Sequence, residues 1–281
     1  MINKRSILSG MFSLVSYTNW LILINVVLFF IFSVIIAFNS NFFGFVEVQP
    51  ASILAGKNLW TIVTAMFMHQ GMFHLLVNMF TLFFLGNLTE KIIGRKRFLV
   101  LYFIAGVVGS LMFVFGAWLG GNFELGSRVF GGLEDYAAGA SGALFGLLGI
   151  LAVLIPRYRV YLVVGPIIVI IAQFVLLPFI PESAQTIFLV IMNVLIFVTI
   201  FALFSRNEMF RKVSVPMAMP LWVAPFVAII PLVIIGLFVQ LPIGNSAHLG
   251  GLIAGVVYGL ILRLKYPNKV QRLQKLFRFA G

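Results

Sequence analysis

Apolar residues run along this chain in long blocks with almost no alternation, near 18–38, 70–88, 98–119, 139–155, 160–180, 186–204, 219–240 and 246–264. Most of these blocks approach the ~20 residues that a helix needs to cross a hydrocarbon core of roughly 30 Å. Without period-two alternation such segments satisfy their backbone groups in lipid as helices, not as barrel strands. The breaks carry turn and charge signals: EKIIGRKR at 90–97, PRYR at 156–159, PES at 181–183, SRNEMFRKVS at 205–214 and LPIGNS at 241–246. The pattern predicts an all-α polytopic membrane protein with about eight transmembrane helices. The first block follows MINKRS without a cleavage-like tail, and reads as a retained helix rather than a signal peptide. One stretch resists the simple count. Residues 59–88 are 30 nearly uninterrupted apolar positions, too many for one untilted span. Either that helix is strongly tilted or its first part lies in the interface before a shorter helix begins.

Charge sets the orientation. The chain of 281 residues is 62% hydrophobic and 9% charged, against roughly 25% charged in soluble domains. Its net charge of +12 would suit a nucleic-acid binder, but the distribution argues otherwise. With the amino terminus inside, 17 of the 19 basic residues fall on the inner side. Only Lys57 and Arg128 fall outside, together with the acids Glu47, Glu124, Glu134, Asp135 and Glu182. This is a positive-inside bias with both termini cytoplasmic, and it implies the lipid bilayer as partner and no nucleic acid. The basic tail 266–281 reads first as an orientation signal and second as a segment able to lie on anionic lipid. The chain has no cysteine, which excludes disulfides, thiolate metal sites and cysteine nucleophiles. With no transit-peptide pattern at its start, that composition fits a prokaryotic plasma membrane.

Within this apolar background one short stretch stands out: AAGASGALFG, 137–146, has a lone serine, Ser141, among Gly139, Ala140, Gly142 and Ala143. Ser141 opens the fourth span and His248 opens the eighth, after GNSA. Both spans run from outside to inside, so the two residues lie at similar depth near the outer boundary. A serine hydroxyl is a weak nucleophile unless a base takes its proton, and histidine is the usual base. Gly251, Gly255 and Gly259 follow His248 on one helical face, and Gly142, Gly146 and Gly149 line the other helix. Small residues at such spacing let membrane helices pack backbone to backbone. HQGMFHLLVNMF, 69–80, offers His74 and Asn78 on one helix face as donors for a developing oxyanion, with His69 better suited to the preceding loop. No acid lies in a span to orient His248, so a dyad is expected instead of a triad. The same absence argues against an aspartyl protease and a proton-coupled carrier. HExxH is missing, and neither a metal nor another cofactor is implied.

These residues resemble the rhomboid family of intramembrane serine proteases. GASG, 139–142, matches the GxSG nucleophile motif; AHLGGLIAG, 247–255, matches the histidine helix; HQGMFHLLVN, 69–78, matches the pattern of the second helix. The resemblance covers about 18–155, including GNLTEKIIGRKRFLVLYFIAG, and resumes near 217–264. It implies a serine endopeptidase that cuts transmembrane protein substrates in or near their spans. Ser141 would be the nucleophile and His248 the base. His74, Asn78 and the Ser141 amide would form the oxyanion hole, with His69 a neighbouring polar group and Phe145 stacked on the base. It also implies a loop after the first helix that is partly embedded, which would absorb LWTIVTAMFM at 59–68. Two departures stand out. Trp60-Thr61 replaces the family's frequent Trp-Arg, and three spans separate the serine and histidine helices where the six-helix core has one. The expected organisation is thus a single rhomboid-like domain, 1–265, with an extra helical hairpin at roughly 165–210, and then the tail. An inactive relative that binds helices without cutting them is the main alternative.

Overall fold

The computed structural model describes residues 16–203, 205–238 and 244–278. The expected contribution of Lys4 and Arg5, and the break at 241–243, lie outside them. In chain order the principal elements are α1 (Tyr17–Phe38), α2 (Met72–Ile93), α3 (Arg95–Gly120) and α4 (Ser141–Leu154), then β1 (Arg159–Val163), α5 (Val164–Leu176), α6 (Glu182–Ala202) and β2 (Pro216–Pro220), and finally α7 (Ala224–Phe238), α8 (Asn245–Lys265) and α9 (Pro267–Arg278). Among the described residues α1, α2, α3, α6 and α8 are long and apolar enough to cross a membrane, and α4, α5 and α7 are shorter apolar helices. The chain is an integral, multi-pass, helical membrane protein.

It divides into two compact units, Met1–Tyr158 with Leu221–Gly281, and Arg159–Pro220. In the second unit α5 and α6 pack together, and β1 and β2 form a two-stranded antiparallel ribbon with Arg159 opposite Pro220 and Val163 opposite Pro216. The spans expected at 160–180 and 219–240 therefore begin four and five residues late, as helices at Val164 and Ala224. Hydropathy cannot separate a buried apolar strand from a helix, and RVYLV, rich in β-branched and aromatic residues, favours the strand.

In the first unit α3, α4 and α8 form the centre, and Leu101, Tyr102, Ala105, Leu147, Ile150 and Leu151 between them are fully buried. Glycine brings α4 and α8 together. A Cβ on Gly251 would overlap the Gly142 carbonyl, and one on Gly255 would overlap that of Gly146. Side chains on α1 such as Trp20, Phe30 and Val34 face outward, as lipid contact requires. The start of α1 is tied to the end of α2. Glu90 accepts from the Tyr17 and Thr18 amides at 3.0 and 2.9 Å and from Thr18 Oγ1 at 2.8 Å. A carboxylate there satisfies orphan amides and complements the positive end of the helix.

The overlong apolar stretch resolves as loop plus helix. Residues 61–67 form two short helical segments, the chain breaks at 68–71, and α2 starts at Met72. Trp60 Nε1 donates to the Phe45 carbonyl at 2.9 Å, Asn58 Nδ2 to Gly44 O at 3.0 Å, and Thr61 Oγ1 to Asn58 O at 2.7 Å. Thr61 thus finds a local partner where the family often carries arginine.

Candidate active site

Ser141 opens a short helix. The helix it begins has 14 residues, which span about 21 Å, well short of a hydrocarbon core of roughly 30 Å. The segment before it, 131–140, is irregular backbone, which is tolerated at membrane depth only where protein or a wet cavity surrounds it. Here it is held by the first loop: Val48 and Ala137 exchange both backbone hydrogen bonds at 2.9 Å, and Ala51 N donates to Leu133 O. Gly139 N donates to Ala65 O at 2.8 Å, with Gly139 at φ +118°. That value suits glycine, and it lets the chain turn into α4.

Across the α4–α8 contact Ser141 Oγ lies 2.9 Å from Nε2 of His248. His248 is buried, and its Nδ1 has no hydrogen-bond partner among the described residues. The ring is held by Phe145 instead, stacked with centroids 4.4 Å apart and planes 18° apart. Phe145 sits one turn after Ser141, so the helix that carries the hydroxyl also positions the ring.

His74 and Asn78 come together on the other side of the serine loop. A Cβ on Gly139 would lie 2.7 Å from His74 Nε2 and 3.3 Å from Asn78 Nδ2, so only glycine leaves room for both. Asn78 Nδ2 is buried without a partner among the described residues. His69 lies in the loop before α2, buried, with its ring 5.2 Å from that of His74. Burial first, and the His74 ring second, lower its pKa to about 3, so it is neutral.

A cavity of about 390 Å³ opens over this group, lined among others by Gln70, His74, Ser110, Asp135 and Ser141. Of the expected residues Ser141 and His74 line this cavity, His248 contacts Ser141 behind it, Asn78 lies beside His74 at Gly139, and His69 is one ring removed. Gln70 and Asp135 escaped the sequence reading because each lies on a loop whose path no local pattern specifies, and Ser110 because hydropathy does not tell which face of α3 borders a cavity. Glu47 escaped it too. It is buried, lines a neighbouring cavity, and its Oε2 accepts at 2.6 Å from Nε2 of Gln70, which borders both. Burial raises its pKa to about 7. Among the described residues no three His, Cys, Asp or Glu side chains group as a metal site would require.

The rhomboid domain model matches residues 56–185 and 189–265. The putative rhomboid protease YdcA of Bacillus subtilis is 31% identical over 97 residues, 34% of this chain and 42% of that protein. The rhomboid protease GluP of the same organism is 35% identical over 101 residues, 36% of this chain and 17% of that protein. The inactive RHOMBOID-like protein 8 of Arabidopsis thaliana is 36% identical over 63 residues, 22% of this chain and 18% of that protein. The matched segments span less than half the length of these relatives.

Proposed function

This chain belongs to the rhomboid family, and we propose that it is a serine endopeptidase that hydrolyses peptide bonds in or near the transmembrane segments of membrane proteins. The observation that carries the reading is the 2.9 Å contact between Ser141 Oγ and His248 Nε2 beside a polar cavity in an otherwise apolar molecule. To accept a proton at Nε2, neutral His248 holds its own at Nδ1. Ser141 Oγ attacks the scissile carbonyl carbon as its proton passes to Nε2. The oxyanion is met by N–H donors from His74, Asn78 and the Ser141 backbone. Collapse breaks the C–N bond, and His248 returns the proton to the leaving amine. Water, deprotonated by the same nitrogen, then releases the acyl group from Ser141. Phe145 takes the place of the missing acid, because a ring face both orients imidazole and attracts imidazolium.

The eight apolar helices are read as eight spans with both termini cytoplasmic. Support comes from the positive-inside bias and from the opposite ends of α8 at which His248 and the basic Arg263 and Lys265 lie. The unit Arg159–Pro220 is read as a hairpin inserted into a six-helix core, since in chain order it falls between α4 and α8 and two extra spans keep both helices in the same direction. The cysteine-free composition supports a prokaryotic plasma membrane.

The test is labelling of detergent-solubilised protein with a fluorescent fluorophosphonate. Wild type is expected to label, and Ser141→Ala and His248→Ala are not. Cleavage of a transmembrane substrate that survived Ser141→Ala would overturn the assignment. The second reading, helix binding without cleavage, has the inactive Arabidopsis relative behind it. It would hold if folded wild type bound such a substrate and left it intact.

A further inference from the structure

At the end of α8 away from His248, three cations converge on one tyrosine. Arg97 Nη2 donates to the Tyr266 hydroxyl at 3.0 Å, and its Cζ lies 4.9 Å from the ring centroid. Lys269 Nζ lies 5.4 Å and Lys265 Nζ 5.9 Å from the same centroid. The three come from three elements: Arg97 from the first turn of α3, Lys265 from the last of α8, Lys269 from α9. Their positions are set by the fold. α3 and α8 run antiparallel, with Ser246 beside Gly116 at the other end. α9 is seated by the buried Val270 and Phe277, the latter edge-on to Tyr158 at 5.2 Å. That seating turns Lys269, Arg272 and Lys275 outward.

Like charges gathered around one ring repel, and the ring face offsets only part of that. The usual remedy is a carboxylate, and this unit has none to offer there. Of its five acids, Glu124 pairs with Arg128, Glu134 accepts from Gln49, Asp135 accepts from the Gly132 amide, and Glu47 accepts from Gln70. Those four lie at the Ser141 end. Glu90 is engaged by Tyr17, Thr18 and Arg95. Among the described residues no ion pair involves Arg97, Lys265 or Lys269.

We propose that this cluster binds the phosphate of an anionic phospholipid. The phosphate would sit among Arg97, Lys265 and Lys269, with the Tyr266 hydroxyl free to donate to it while accepting from Arg97. A lipid fits better than free phosphate because apolar side chains lead away from the cations along the outside of the helices. Leu264, next to Lys265, is 83% exposed, and Ile261 one turn below it is 51% exposed. On α3, Val100 and Ile104 are similarly exposed, one and two turns from Arg97. Those surfaces would take acyl chains, and the cations mark the headgroup level. The site lies about 25 Å along α8 from His248, at 1.5 Å per residue, so it is distinct from the catalytic cavity and does not depend on it.

The experiment uses the full chain in phosphatidylcholine nanodiscs, with and without phosphatidylglycerol, and native mass spectrometry after ejection to count retained lipids. Wild type is expected to retain phosphatidylglycerol in preference to phosphatidylcholine. The triple variant Arg97→Gln/Lys265→Gln/Lys269→Gln is expected to lose that preference by on the order of a hundredfold, about fivefold per charge. The single exposed change Lys269→Gln, which leaves the packing of α9 untouched, should lose about fivefold. An equal charge removal in the other unit, Arg206→Gln/Arg211→Gln/Lys212→Gln, should change retention little. Equal losses in the two triple variants would overturn the site in favour of diffuse attraction. Displacement of the retained lipid by inorganic phosphate at matched concentration would overturn a lipid as its ligand.

Discussion

Ser141 Oγ and His248 Nε2 are 2.9 Å apart although they lie 107 positions apart in the chain, and among the described residues no carboxylate completes the pair. The ring of His248 is fixed by Phe145 from the helix that carries the serine. Orientation by stacking has a consequence that can be measured. Phe145→Leu keeps the apolar volume and removes the ring face, so kcat on a transmembrane substrate should fall by about tenfold with KM little changed. Phe145→Tyr should retain most of the activity. Equal activity of the leucine variant would show that packing alone orients the imidazole.

In the proposed mechanism His74 and Asn78 act after attack has begun, on charge that the substrate does not yet carry. Removing either donor should therefore lower kcat by about 10²–10³, the range for one oxyanion donor, and leave substrate binding intact. Steady-state kinetics of His74→Ala and Asn78→Ala check this, with fluorophosphonate labelling as a readout of the serine itself. A rise in KM alone would assign them to substrate binding.

Gly255 has no room for a methyl group, because its Cβ would meet the Gly146 carbonyl, which is backbone and cannot rotate away. Gly255→Ala should push α8 from α4, with a loss of about 1–3 kcal/mol of stability and a longer Ser141–His248 separation. Thermal unfolding in detergent and fluorophosphonate labelling should decline together. Gly56→Ala is the contrast: nothing lies within 4 Å of that position, and its φ of +71° brings only local strain.

Glu47 gives a pH signature outside the spans. Burial raises its folded pKa to about 7 from an ordinary value of 4.5. Its contribution to stability is fully present below about 4.5 and is lost as pH rises through about 7, because the unfolded chain ionises the carboxyl more readily than the folded one. Thermal unfolding of wild type should thus shift downward across that window and then level off. Glu47→Gln keeps a partner for Gln70 and should flatten the shift. An unchanged profile in this variant would mean that another group titrates.

The sequence by itself determined the helical membrane architecture and singled out Ser141, His248, His74 and Asn78 as the candidate residues. Hydropathy reports what lipid demands of each segment, and GASG, AHLGGLIAG and HQGMFHLLVN are local patterns in which spacing sets helix face. Charge counting gives an expected orientation for the same reason, since it is a sum over short loops. Tertiary structure decided what depends on partners distant in the chain. Val48 lies against Ala137, Glu90 holds the start of α1, Glu47 is buried against Gln70, and β1 pairs with β2 in place of a longer helix. The basic tail was legible as charge, but its convergence with Arg97 on Tyr266 was not. Hydropathy scores a residue in lipid and a residue against another helix alike, so which apolar or charged groups face each other follows only from the path of the backbone between them.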